Sequence, residues 1–348
     1  MHRRDLMMFL LAGAAPTVRA APGLQFPADF GAHPDSRTEW WYLTGSLQAA
    51  AGLWGFQVTF FRSRTGLATA NDSRFAASEL VFAHAAVTDL QERRLHHDQR
   101  VARSGFGIAQ AATGNTGVVL RDWHLERSGN VYRAVVASDS AGFALDLHVT
   151  PTQPVLLQGE AGLSRKGPSA EHTSRYYSEP QLAAQGVLTL KGKPLTVAGR
   201  AWLDHEWSDA FLPPQAVGWD WIGMNLDDGS ALTAFRLRHA DGSGLYAGGS
   251  FRRHGDALRN FAPDGVSFTP GRVWQSAASK ARYPVHWRVV TPAGTFTVSA
   301  LLDDQELDSR NSSGAIYWEG LSDLLDESGK RVGRGYLEMT GYAAPLRL

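Results

Sequence analysis

Cysteine is absent from the 348 residues. Disulfide staples, thiolate metal sites and cysteine nucleophiles are therefore excluded together. Excess charge is missing too. Lys and Arg total 34 and so do Asp and Glu, so no net field gathers nucleic acid or an anionic membrane surface. No heptads run along the chain, and no Gly-rich phosphate loop follows a strand-like run, which argues against a coiled coil and a nucleotide site. A Gly-x-Ser-x-Gly nucleophile elbow is also lacking. Gly242-Ser243-Gly244 and Gly248-Gly249-Ser250 read as turn material instead. The apolar run from Leu6 to Leu11 is too short to span a bilayer.

What the chain does hold is glycine, proline and tryptophan, at 36, 16 and 11 residues. So many large rings must be buried or must line a cavity. Period-two alternation recurs through Trp54-Phe56-Val58-Phe60, Phe143-Leu145-Leu147-Val149, Val285-Trp287-Val289 and Phe296-Val298. That period means half-buried strands. Asp228-Gly229, Asp241-Gly242, Asp264-Gly265 and Ser328-Gly329 supply tight turns between such runs. The expected fold class is all-β, antiparallel meanders closed into barrels, with few short helices. Helical turns are expected only over Asp72 to Leu80 and Ser276 to Tyr283, and His96-His97-Asp98 is expected in a solvated loop.

The length suits two domains. Pro213-Pro214 cannot sit in a central strand, so the boundary is placed there: 1–20 a targeting segment, 21–211 one barrel, 212–348 a second. In the targeting segment His2, Arg3 and Arg4 precede the apolar run, and Val18-Arg19-Ala20 offers a small-x-small cleavage signal. Arg3-Arg4 resembles a twin-arginine signal. The expected location is the periplasm or outside the cell, with no transmembrane span.

Three tryptophan–acid segments stand out. They are Glu39-Trp40-Trp41-Tyr42; Trp202-Leu203-Asp204-His205-Glu206-Trp207 with Trp219-Asp220-Trp221; and Tyr317-Trp318-Glu319-Gly320 with Gly335-Tyr336-Leu337-Glu338. On a strand, Trp202, Asp204 and Glu206 share one face, and Leu203, His205 and Trp207 share the other. An indole beside an imidazole could stabilise a cation. A carboxyl group beside indoles would lose solvation and stay protonated as an acid. A purely structural network of indole N–H groups and acids is the competing reading. Neighbouring strand residues point apart, so Asp204, His205 and Glu206 cannot together cap a metal ion; no metal is expected. Trp40 and Tyr42 read as rings plugging a barrel end, and Glu319 and Glu338 as acids bonding turn amides.

These segments, together with His33-Pro34-Asp35 and Gln305-Glu306-Leu307, resemble the AttH / hydroxyneurosporene synthase family, which includes carotenoid 1,2-hydratases. The resemblance covers nearly the whole chain from about residue 25. It implies two lipocalin-like barrels in tandem and a ligand cavity in the domain carrying Asp-His-Glu-Trp. It also implies a hydrophobic isoprenoid- or lipid-like ligand and water addition to a double bond without a cofactor. On this chain the hydratase-like pair would be His205 and Trp207, and the acid Asp220 or Asp204. Glu39, Trp41, Trp202, Glu206, Trp219 and Trp221 would bind the ligand. A hydrolase, a carrier without chemistry and an accessory of an export or transport system stay open as alternatives, since the fold does not choose among them.

Overall fold

A computed structural model describes residues 23–67, 75–210 and 212–346; residues 1–20, expected to be a targeting segment, lie outside them. Two antiparallel sheets account for most of it. One draws thirteen strands from residues 38–208, the other ten from residues 218–339, and Val273–Gln275 pairs with Arg282–Pro284 in a separate ribbon.

Both sheets follow one plan. In the first, the opening strand Thr38–Ala49 bonds on one side to Gly52–Arg64 and on the other to the final strand Lys193–Ser208. The strand order ends at Arg94–Arg103 and at Ala109–Ala111, and only residues 104–108 separate those two ends in the chain. The sheet therefore curls round until its edges are neighbours, a nearly closed barrel. In the second, Gly218–Leu226 sits between Ala231–Arg238 and Arg331–Met339, and the order ends at Arg259–Asn260 and Ser267–Pro270, with residues 261–266 between them. The all-β, lipocalin-like expectation holds. Helix is limited, among the described residues, to 3₁₀ turns at Ala28–Phe30 and Pro263–Gly265.

Two local expectations need correction. Ser276 to Tyr283 is a turn leading into the strand Arg282–Pro284, and the described part of Asp72 to Leu80 ends in the strand Glu79–Asp89. His96-His97-Asp98 lies in the strand Arg94–Arg103, where His96 is buried and its Nδ1 stands 3.0 Å from the Ala141 carbonyl oxygen. One ring nitrogen is thus paired, while Nε2 is buried without a hydrogen-bond partner among the described residues.

Alternation sorts every strand into two faces. Trp41, Leu43, Leu47, Phe56, Val58, Phe60, Leu203 and Trp207 point into the first barrel and fill it, together with Trp123, Tyr132 and Tyr177. Ile222, Met224, Trp287, Trp318, Leu337 and Met339 fill the second. Each such side chain stabilises the fold by about 1.5–3 kcal/mol on burial.

Each barrel also buries an acid–arginine pair at the same place. Glu39 stands opposite Arg62 in register, with Nε 2.8 Å from Oε2, and Asp220 stands opposite Arg236, with Nε 2.7 Å from Oδ2. Arg62 further donates to Glu79 and to the His33 and Ser36 carbonyls. Asp220 also accepts from the Tyr342 hydroxyl at 2.8 Å, with Arg238 Nε 3.1 Å away.

The outer faces of the two barrels dock on one another through Tyr42, Leu156, Trp202, Trp221, Phe235, Leu321 and Tyr336. A Cβ on Gly55 would lie 2.7 Å from the Tyr336 hydroxyl, so glycine there sets how closely the barrels approach. Polar side chains lock the contact. Gln181 donates to the Leu226 and Ser230 carbonyls, and Asn225 accepts from the Gln181 amide and donates to the Ala201 carbonyl.

Removing one member of a buried ion pair strands its partner, at about 3–5 kcal/mol. Asp220→Ala and Arg62→Met should each lower unfolding free energy by that order, read as a drop in the urea midpoint at unchanged slope.

Candidate functional site

The docked outer faces do not close completely. They leave a cavity of about 310 Å³, with walls from both barrels. The first barrel contributes Trp40 and Tyr42 from its opening strand, Phe61, Phe82 and His84 from the next two, and Tyr176, Asp204 and Glu206 from its last two. The second contributes Trp219, Trp221, Phe235, Tyr317, Glu319 and Glu338. All are outward residues by alternation. They would meet water on an isolated barrel, and here the other barrel covers them. Trp221 can lie flat along its own strand because Gly223 has no Cβ; one there would meet the indole at 2.3 Å.

Among the described lining residues are four carboxyl groups and one ammonium, Lys166. Asp204 is the most fully held. Its Oδ1 accepts from Trp202 Nε1 at 2.7 Å and Ser178 Oγ at 2.5 Å, and its Oδ2 accepts from Tyr176 Oη at 2.8 Å. Burial pushes its pKa up to about 7, although the three donors pull the other way. Burial likewise raises Glu338 to about 7, against a hydrogen bond from Trp219 and with help from the carboxylates of Asp204 and Glu206. Glu319 rises well above the usual carboxylate range through burial and the neighbouring Glu338, its register partner. Burial also raises Glu206, opposed by Lys166 2.7 Å away and by the Ser174 hydroxyl. The Lys166 ammonium rests 4.6 Å from the Tyr176 ring and 4.7 Å from the Phe235 ring. His84 is held neutral, pushed down to about 3 by burial, and bonds Tyr317 Oη through Nδ1 at 2.8 Å.

This chemistry is that of carboxylic acids kept protonated near neutrality inside an aromatic wall. Such an acid can protonate an alkene, and indole faces can steady the resulting cation.

The sequence-derived candidates divide between two places. Asp204, Glu206, Trp219 and Trp221 line the cavity, and Trp202 stands behind Asp204 as its donor. His205, Trp207, Glu39 and Trp41 point into the first barrel, and Asp220 into the second; none of these five borders the cavity. The resemblance implies a ligand cavity in the Asp-His-Glu-Trp domain; this cavity is walled by both barrels, with Asp204 and Glu206 of that segment on it. His205 Nε2 stands 2.9 Å from Glu39 Oε1, its Nδ1 lies 3.1 Å from Tyr177 Oη, and its ring stacks on Trp41 with centroids 4.5 Å apart. Trp207 stacks on His33 at 3.6 Å. Burial lowers the His205 pKa, so this imidazole is neutral. Burial alone would raise Glu39, but hydrogen bonds with His205 and His33 hold it well below the usual carboxylate range. His33, Glu39 and His205 converge closely enough to suggest a metal site. The Arg62 guanidinium on Glu39 already supplies the positive charge there, and a metal cation would be repelled by it.

Glu319 and Glu338, expected to bond turn amides, are cavity acids, and Trp40 and Tyr42 are cavity walls rather than plugs. The signal was present: Tyr317 and Glu319 share one parity, as do Tyr336 and Glu338. Lys166, in Arg165-Lys166-Gly167, carried none.

The profile of AttH-like proteins matches residues 17–342. Among solved structures, a candidate AttH from Nitrosomonas europaea is 47% identical, with a TM-score of 0.85 over 95% of this chain and 100% of that one. The kievitone hydratase of Nectria haematococca is 18% identical, with a TM-score of 0.69 over 93% of this chain and 94% of that one. This second likeness speaks to the fold alone. No curated protein matches the chain.

The raised Asp204 pKa has a stability signature. The folded state holds its proton up to pH about 7, whereas the unfolded chain releases it near 3.8. Between those values the folded state binds more protons, so this group's contribution falls as pH rises and is constant above pH about 7. Asp204→Asn should therefore gain stability relative to the parent between pH 4 and 7 and keep a constant advantage beyond. Thermal unfolding of both proteins across that range reads the difference.

Proposed function

The chain belongs to the AttH-like family, and from that premise we propose that it is a cofactor-independent hydratase acting on an apolar, isoprenoid- or lipid-like small molecule between the barrels. The observation that carries this reading is Asp204, a buried carboxyl group with a pKa of about 7 on the wall of an aromatic cavity. The hydratase named among its structural neighbours supports it. In this reading the Asp204 O–H protonates one alkene carbon. The adjacent carbon becomes a cation facing Trp40, Trp219 and Trp221, the oxygen of a water molecule bonds to it, and the water's surplus proton goes to the aspartate. The sum is one water added across one double bond, with the acid restored. His205, Trp207 and Asp220 hold the barrels in shape and act as positioning residues.

Export to the periplasm or beyond, through residues 1–20, is part of the same proposal. Its twin-arginine form rests on Arg3-Arg4. Hydrolysis is the second chemistry the acids could perform. A carrier role, or an accessory role beside a transporter, would use the cavity or the surface without turnover.

The test is incubation of the purified protein with terpene alkenes in ¹⁸O-water, followed by mass spectrometry of the alcohols formed. Label should enter the product, and Asp204→Asn should slow formation by about 10²- to 10⁴-fold, the usual share of general acid catalysis. Tight binding of the alkenes with no labelled alcohol would identify a carrier.

A further inference from the structure

At the far end of the first barrel from the cavity residues Leu80, Phe82 and His84, the strand Glu79–Asp89 turns through residues 90–93 into Arg94–Arg103. Asp89 pairs with Arg94 in register and Val87 with His96. Asp89 and His96 therefore share the face on which Val87 enters the core. Both are buried, at 5% and 4% exposure, and Glu92 on the turn is exposed. One nitrogen of His96 and one carboxylate oxygen from each of Asp89 and Glu92 lie within 4.8 Å of one another. Strand parity separates Asp204 from His205, but here it brings an acid and an imidazole together. Asp89 Oδ1 accepts from the Gln91 and Glu92 amides at 2.9 and 3.1 Å and so shapes the turn. His96 Nδ1 stands 3.0 Å from the Ala141 carbonyl oxygen. A carbonyl only accepts, so Nδ1 carries the proton, and in the neutral imidazole Nε2 is then a lone pair. That nitrogen is buried with no partner among the described residues. Buried polar atoms are almost always paired, so this one asks for an explanation.

We propose that Asp89, Glu92 and His96 bind one divalent transition-metal ion of the zinc type, which clips the 90–93 turn to the barrel wall. An imidazole that donates its other N–H to a backbone carbonyl is oriented as metal-ligating histidines are, with its tautomer and ring direction fixed. Two carboxylates balance the charge of a divalent ion. The nitrogen ligand favours zinc over calcium or magnesium, which take oxygens. Three protein ligands leave the fourth tetrahedral position to water. A cation already stands nearby: Lys191 Nζ bonds both Glu92 oxygens, at 2.7 and 2.6 Å. It differs from the Arg62 guanidinium on Glu39, whose side chain is 1% exposed, because the Lys191 side chain is 58% exposed. Its flexible four-carbon stem swings the ammonium into water when the ion takes the carboxylate.

The test strips the purified protein with EDTA, removes the chelator and titrates ZnCl₂ by isothermal calorimetry, with thermal unfolding as a second readout. The parent should take up one zinc with a Kd of about 1 µM or tighter. At a hundredfold excess of zinc over Kd its Tm should rise by about 4 °C, and MgCl₂ should do neither. His96→Gln keeps an amide donor for the Ala141 carbonyl but loses the imidazole lone pair, and it should abolish uptake. Glu92→Gln should weaken binding by at least about tenfold, no less than the loss of an outer-shell partner costs. Lys191→Ala should tighten it, because ammonium and zinc compete for Glu92. His97→Gln, on the opposite face of the same strand, should bind as the parent does. No uptake by the parent, uptake that survives both His96→Gln and Glu92→Gln, or uptake lost with His97→Gln overturns the site. Glu92 and Lys191 are exposed, so their results stand even if His96→Gln does not fold. None of these residues lines the cavity, so the zinc site and alkene hydration stand or fall separately.

Discussion

The alternation of side chains along Lys193–Ser208 divides this molecule into a part that holds it together and a part that can do chemistry. His205 and Trp207 go inward, where the imidazole meets Glu39, Tyr177 and Trp41. Asp204 and Glu206 go outward, to a surface that the second barrel then covers. A shift of one residue in the pairing with Thr38–Ala49 would exchange the two sets. It would place two carboxyl groups in the first core and an imidazole in the cavity. Inward Glu39, ion-paired with Arg62 and hydrogen-bonded to the neutral His205, fixes that register, because its buried charge needs those partners.

Docking of the second barrel changes the physics of the outer face. On an isolated barrel, Asp204 would be hydrated and ionised. Enclosed in a cavity whose opposite wall includes Trp221 and Phe235, it sits where charge is poorly solvated, and its proton stays on until about pH 7. The same covering gathers Glu319 and Glu338 from the other side, and like charges so close cannot all ionise. The cavity exists because two nearly closed sheets present aromatic outer faces that fit imperfectly.

Much of this was legible in the residues. Period-two runs and turn dipeptides implied closed antiparallel sheets, and the parity of Trp202, Asp204 and Glu206 assigned the carboxylates to one face. What parity could not say was which face is inside. An inward face normally announces itself by apolar composition, but here Glu39 and His205 point inward and Trp40, Tyr42, Trp219 and Trp221 point outward. Two aromatic faces on one strand leave the choice to tertiary structure, and the hydrophobic pattern carries no information about a second barrel arriving to cover one of them. Lys166 was illegible for a related reason, since it lies just beyond a three-residue strand, Leu163–Arg165, and is placed by the fold around it.

The most conspicuous motifs of the sequence also deserve a different weight once the barrels are compared. Glu39 and Asp220 occupy equivalent positions: the opening strand of a barrel, facing an arginine directly across on the second strand, inside the end of the sheet. That one arrangement occurs in both barrels, of which only the first adds the histidine pair, argues that the acid and arginine serve closure rather than a reaction. Chemistry specific to one ligand would have no reason to recur in the interior of a separate sheet. The residues that are not duplicated, Asp204 with its three donors and the cavity-lining Tyr42 and Glu319, lie where the barrels meet and differ. Duplication thus separates scaffold from site on physical grounds. It moves the chemical interest from the interior His205–Trp207 face to the carboxyl groups on the opposite side of the same strand.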